Sequence, residues 1–312
     1  MTGDAPPPGL HPVLAAAVAR RRQEPQYSQL GIAEARALNL ARQGQPSRLP
    51  EVESVTEVTV VGATGPLPAR LYRPTDAPDL PVLVYFHGGG FVAGSLDSHD
   101  SILRHLALAS GIAILSVAYR LAPEHPFPAA IDDGEAALRH VLAEAGGLHP
   151  GQGSVLVGGD SAGAAIALAA ATMVERLAGV LLFYPVADLS RIGETESYRA
   201  FGDGRVGLSL DDVKWFADLY APDVANRTDW RCSPLLGAAT RRLPPVFIAT
   251  AEFDVLRSEG DALAAQLDAR CTHVTHRSAR GVNHGYLGAL DAVPEAGMTI
   301  TAAAHWIRSR LT

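Results

Sequence analysis

VGGDSAGAAIALAAA, residues 157–171, puts a carboxylate and a hydroxyl on a tight bend between two segments that read as buried. The chain enters through SVLVGG (154–159), an apolar strand that ends in two glycines. It leaves through AGAAIALAAATMVERL (162–177), a run of small helix formers. Gly159-Asp160-Ser161-Ala162-Gly163 fits G-x-S-x-G. A serine on such a strand–turn–helix bend is pushed outward at the strand's end, and the flanking glycines let the backbone pass closely. Two readings fit these five residues: a nucleophile held at a sheet edge, or a plain turn with Ser161 as helix N-cap.

The same strand–helix alternation continues on both sides. VTEVTVVG (55–62) and ARLYRP (69–74) read as strands bounded by Gly and Pro. PVLVYFH (81–87), IAILSVAY (112–119) and GVLLFYP (179–185) are continuous apolar strands, of the kind buried on both faces. Helices are expected at about 100–109 and over 129–146, the latter stopping at Gly146–Gly147. Beyond the insertion discussed next, PPVFIATAEFD (244–254) resumes the sheet. SEGDALAAQL, a strand near 272–277, a loop GVNHGYLG and a helix over about 295–310 follow. Such alternation predicts an open, mostly parallel sheet covered on both faces.

The alternation is interrupted at 187–240, a more polar stretch that holds Trp215 and Trp230 and reads as an insertion after a strand. VLAAAVARR and IAEARALNLARQ, within residues 1–50, are two helical pieces with one apolar face each. The expected organisation is therefore N-terminal cap helices (1–50), a first core part (51–186), a cap insertion (187–240) and a second core part (241–312). Together the two caps lie over the carboxyl ends of the strands, where open α/β sheets bind ligands.

Composition narrows the function classes. With 47% hydrophobic and 19% charged residues, the 312-residue chain is long and apolar enough to bury a large core. A net charge of −7 leaves no basic footprint, so nucleic acid is not an expected partner. Cys232 and Cys271 are the only cysteines and stand in no Cys/His cluster, which argues against a zinc site and for buried thiols. No apolar run reaches the length of a membrane span, and LHPVLAAAVA (10–19) has its arginines after it rather than before, unlike a signal peptide. A cytoplasmic protein is the default expectation.

A serine hydroxyl needs a base beside it. His284 stands in the Gly-rich loop GVNHGYLG, able to hang over the sheet edge, although a lone loop histidine is often just solvated. His125, between prolines, reads as structural, and His273 and His276 as strand residues that face solvent or pack. Asp254 ends the strand VFIATAEF and suits the orienting acid or, equally, the cap of the next helix; Glu252 and Glu259 are its rivals. The order Ser161, Asp254, His284 is the one used by hydrolases with this elbow. The 93 residues from 161 to 254 include the insertion. His87-Gly88-Gly89-Gly90 directly follows a buried strand. Its bare amides at Gly88 and Gly89, with that of Ala162, are the candidate oxyanion donors.

HGGGFVAGSLDSHD (87–100), YRLAPEHPFPAAIDD (119–133) and GGDSAG (158–163) resemble the hormone-sensitive-lipase-like branch of the α/β-hydrolases, the bacterial carboxylesterases with HGGG and GDSAG. The likeness covers residues 50–312. It implies an α/β-hydrolase fold, an eight-stranded sheet under a helical cap, no cofactor, and hydrolysis of short- to medium-chain acyl esters. By the same likeness Ser161 is the nucleophile, Asp254 the acid, His284 the base, and Gly88, Gly89 and Ala162 the oxyanion donors. A homodimer through an edge strand near the C-terminus is implied too. Amide, lactone or carbamate hydrolysis is the alternative on the same residues, and a non-catalytic small-ligand receptor the alternative of another class. Asp254-Val255-Leu256-Arg257-Ser258 departs from the Asp-Pro-Leu-Arg-Asp of relatives, and Tyr286 stands where Phe is usual. The phenol of Tyr286 is expected either near the pocket or in solvent. Asp160 is expected to be structural, and Glu124 to take a buried hydrogen-bonding role rather than activate water.

Overall fold

Every residue of VLVYF, the third strand, is buried, and its side chains divide between the two faces of one sheet. Val82, Val84 and Phe86 enter one core, Leu83 and Tyr85 the other. Neighbouring strands repeat this split, so one sheet feeds two cores, as the strand period of two requires. The computed structural model describes residues 6–42, 49–143, 154–237, 243–270 and 273–311.

The sheet has eight strands: β1 Ser54–Val61, β2 Pro66–Arg73, β3 Val82–Phe86, β4 Ala113–Val117, β5 Val155–Asp160, β6 Gly179–Phe183, β7 Val246–Phe253 and β8 Val274–Asn283. Their order is β1-β2-β4-β3-β5-β6-β7-β8. β2 runs antiparallel to both neighbours, and every other pair is parallel. Helices α4 (Ala129–Leu142), α5 (Ala162–Met173) and α8 (Arg257–Asp268) cover one face; α3 (Asp100–Ser110) and α9 (Pro294–Arg310) cover the other. α1 (Pro12–Arg21), α2 (Ile32–Arg42), α6 (Glu196–Phe201) and α7 (Leu210–Tyr220) come from the N-terminal segment and the insertion. Among the described residues no helix is long and apolar enough to cross a membrane.

Two elements differ from the sequence expectation. α5 stops at Met173, four residues early, because the chain must turn back into β6: Val174 is already extended and Ala178 donates to the Val155 carbonyl. β8 runs on to Asn283, through residues expected in a loop, because β7 pairs with it along its whole length. A register shift between Ala251 and Phe253 bends that ladder near its end. The expected helix stop at Gly146–Gly147, and Cys271, lie outside the described residues. Cys232 is buried, which pushes its thiol up to about 12.

Candidate active site

Ser161 sits between β5 and α5 with φ 53° and ψ −119°, a left-handed backbone that a non-glycine residue adopts only under constraint. The constraint is visible on both sides. Ser161 donates its N–H to the Phe183 carbonyl of β6 at 2.9 Å, and its carbonyl accepts from Ala164 and Val186, each at 3.1 Å. The glycines of the motif are steric necessities. A Cβ on Gly159 would meet the Gly163 backbone and lie 2.6 Å from the Phe86 carbonyl, and one on Gly163 would press into that same carbonyl. The small residues thus let α5 pack directly on the end of β3 while the hydroxyl points out.

β8 delivers His284 to that hydroxyl. Its Nε2 lies 2.9 Å from Ser161 Oγ and its Nδ1 lies 2.7 Å from Asp254 Oδ2. Asp254, at the end of β7, is 1% exposed, and its second oxygen accepts the Leu256 N–H at 2.9 Å. The acid therefore also closes the turn into α8. Burial acts to lower the His284 pKa, but the Asp254 carboxylate, with a smaller contribution from Asp160, outweighs it and raises the value above the ordinary imidazole. The ring of Tyr184 packs edge-on at 5.0 Å, and Asn283 Nδ2 donates to the Val206 carbonyl at 2.7 Å, tying the strand end to the insertion.

The two rival acids are engaged elsewhere. Glu252 accepts the Gly281 N–H at 2.8 Å. Glu259 is buried and accepts the Ala187 N–H at 3.1 Å, and burial pushes its carboxyl well above the usual range. His125 is exposed, and His276 lies 3.2 Å from Asp261.

The glycine loop corrects one expectation. The Gly88 amide donates to Asp160 Oδ1 at 2.9 Å, so it is not available to a substrate oxygen. Gly89 and Gly90, at φ 128° and 63°, face the cavity above Ser161, and a Cβ on either would collide with its surroundings. Ala162 opens α5 beside Ser161 and, like the other two, has an amide with no described acceptor. Asp160 is the loop's anchor: its Oδ1 also receives the Tyr85 hydroxyl at 2.9 Å and lies 3.0 Å from His99 Nε2. Burial acts to raise this carboxyl, yet His99, Tyr85 and the Gly88 amide together hold it below the carboxylate norm. The sequence reading missed His99 and Tyr85; the signal was a tyrosine inside a fully buried strand, whose hydroxyl needs a partner.

Two further expectations are overturned. Glu124 is not buried: its side chain is 54% exposed and forms an ion pair of 2.6 Å with Arg36. Arg36 also donates to the carbonyls of Val92 (2.8 Å) and Ala122 (3.1 Å), so the pair pins α2 to the end of the glycine loop. Tyr286 neither reaches the pocket nor faces solvent. It is buried in the core under α9, where its hydroxyl donates to Thr299 at 3.0 Å.

A cavity of about 260 Å³ stands over Ser161 and His284. Its walls are largely apolar, with Val13, Leu14 and Val18 of α1 facing Val213, Phe216 and Ala217 of α7. The two covering segments are linked: Ser28 donates to Asp212 and Ser209 to Gln26, each at 3.1 Å. This is a site under two covering segments with a strained serine, a buried histidine–carboxylate pair and free amides, an arrangement suited to acyl transfer.

Comparison with known proteins agrees with this geometry. Residues 83–288 match the pattern of the α/β-hydrolase fold family. The chain is 40% identical over 247 residues to the carboxylic ester hydrolase LipN of Mycobacterium tuberculosis, a match covering 75% of this chain and 64% of LipN. It is 38% identical over 279 residues to the carboxylesterase NlhH of the same organism, covering 85% of each. Among solved structures, the esterase of Pyrobaculum calidifontis superposes with a TM-score of 0.88 at 31% identity, over 96% of this chain and 98% of that one. The chain belongs to the hormone-sensitive-lipase-like branch of the α/β-hydrolase fold family.

Proposed function

We propose that the chain is a serine carboxylesterase that cleaves short- to medium-chain acyl esters through an acyl-enzyme. The observation that carries the reading is the continuous relay from Asp254 through His284 to Ser161, at 2.7 and 2.9 Å, under a roofed apolar cavity. Ser161 Oγ attacks the ester carbonyl as His284 Nε2 takes its proton, and Asp254 stabilises the imidazolium that forms. The oxyanion is received by the amides of Gly89 and Ala162, with Gly90 in the place first expected for Gly88. His284 then returns the proton to the leaving alcohol, and water repeats the cycle on the acyl-enzyme. Residues 1–50 and 187–240 act as the cap, and residues 51–186 and 241–312 as the core. β8 ends the sheet with an open edge, and a homodimer through it is the assembly we expect.

Hydrolysis of p-nitrophenyl esters of increasing acyl length, wild type beside Ser161→Ala, tests the reading. Turnover is expected to peak at short chains and to drop by several orders of magnitude in the variant, with the circular dichroism spectrum unchanged. Full activity in a folded Ser161→Ala would refute it.

A further inference from the structure

The cavity over Ser161 is not apolar throughout. On the wall built by α1 and α2, Arg21, Asn39 and Arg42 face it, and their polar atoms are not used up. Asn39 is 7% exposed, its Nδ2 makes only a long 3.5 Å contact to the Tyr27 hydroxyl, and its Oδ1 is buried with no partner. The Nε of Arg42 is also buried without a partner. One of its terminal nitrogens reaches Glu24 and the Pro25 carbonyl, both at 3.4 Å, while the guanidinium lies 4.8 Å over the Tyr27 ring. Arg21 donates to the Arg42 carbonyl at 3.3 Å. Burial and the adjacent Arg42 charge both lower the Arg21 pKa, as for two cations held together away from water.

Among the described residues, Glu24 is the one carboxylate that forms an ion pair with either arginine, and it does so to Arg42 at 3.4 Å. Asp212 lines the same cavity but accepts the Ser28 N–H, and Asp160 is turned to His99, Tyr85 and Gly88. A buried donor, a buried acceptor and surplus positive charge on one pocket wall mark a place for an anionic group. With the Asn39 amide turned over, the Tyr27 hydroxyl donates to Oδ1 and Nδ2 becomes the buried group without a partner, a donor rather than an acceptor.

The wall is connected to the serine by aromatic rings. Phe216 packs directly on Gly90, its ring lies 5.2 Å from that of Tyr27, and Tyr27 carries Arg42. Ser161, Phe216, Tyr27, Arg42 and Arg21 all line this one cavity, so its apolar rings lie between the serine and the guanidinium pair. We propose that Arg42, Arg21 and Asn39 form a carboxylate subsite, and that the preferred esters carry a carboxylate at the far end of the acyl chain, as monoesters of aliphatic dicarboxylic acids do. This rests on the esterase reading above.

The test compares mono-p-nitrophenyl esters of adipate, suberate and sebacate with the p-nitrophenyl esters of the matching monocarboxylic acids, in wild type, Arg42→Met and Arg42→Lys. The readout is the ratio of kcat/KM within each protein, so the amount of folded enzyme cancels. In wild type the best diacid ester is expected to be preferred about tenfold, a preference lost in Arg42→Met, partly kept in Arg42→Lys and weakened by salt. A ratio that is the same in wild type and Arg42→Met overturns the subsite even where both esters are cleaved. If no ester is cleaved the esterase reading fails, and the subsite is then judged by calorimetry on Ser161→Ala. Tighter binding of monomethyl suberate than of methyl octanoate, lost when Arg42→Met is added, supports it; equal binding overturns it.

Discussion

His87 offers a quantitative test of how the glycine loop is held. It is 1% exposed, stacks on Tyr119 at 4.5 Å, lies 5.6 Å from His99, and its Nδ1 donates to the Gly88 carbonyl at 2.9 Å. Burial, then the neighbouring His99, lower its pKa from 6.5 to about 4, against the smaller opposing pull of the Gly88 carbonyl and Asp160. Below pH 6.5 the unfolded chain therefore takes up a proton at this position that the folded chain refuses until about pH 4. Where the unfolded state binds more protons, stability rises with pH, so it falls as pH drops through this window. At about 1.4 kcal/mol per pH unit the loss amounts to about 3 kcal/mol, complete near pH 4 and absent above pH 6.5. His87→Asn keeps an amide donor for Gly88 and removes the titration. Urea unfolding followed by tryptophan fluorescence, from above pH 6.5 down to pH 4, gives the stability of each protein. Every other titrating group, Glu259 and Asp160 among them, is common to both and cancels in the difference. The wild-type advantage over His87→Asn is expected to shrink by about 3 kcal/mol across the window. Parallel curves would refute the reasoning, since they would mean that His87 titrates alike in both states.

Three more outcomes follow from the site and its frame. The acid limb of kcat/KM is expected above pH 6.5, because His284 must be neutral to accept the Ser161 proton and Asp254 raises its pKa; Asp254→Asn should cut kcat by about 10⁴ and move the limb down, as burial is then opposed only by the smaller pull of Asp160. Gly163→Ala drives a methyl into the Phe86 carbonyl and should cost about 3 kcal/mol or prevent folding. Gly111→Ala, left-handed at φ 74° with open space around it, should cost only about 1 kcal/mol; thermal melts that rank the two the other way would contradict the packing account. Tyr286→Phe should lose about 1 kcal/mol with the Thr299 bond and leave ester selectivity alone. A changed leaving-group preference in steady-state assays would mean that the phenol reaches the substrate after all.

The alternating sheet was legible because its signal is local. Runs such as VLVYF and AILSV can be buried on both faces only in a sheet covered on both sides, and Gly and Pro punctuate them. Ser161 and Asp254 were nameable from strand ends and His284 from its Gly-rich loop, in an order that such sites share. Element ends were less legible. Neither the early stop of α5 nor the length of β8 is written in the local residues, since both are decided by the neighbouring strand. Glu124 and Tyr286 were misplaced for the same reason: whether a side chain is buried depends on what folds over it.

The amino-acid order by itself determined the small-residue elbow, the glycine loop and the layered sheet, because sterics and burial act over a few neighbouring residues. Tertiary structure alone decided which amides of the loop are free. Asp160 lies 72 residues beyond Gly88, yet it claims that amide and leaves Gly89 and Gly90 facing the cavity. It also decided that arginines from two separate helices share a wall with the serine. Hydrogen bonds and charges act over ångströms in space, and only the folded chain sets those distances.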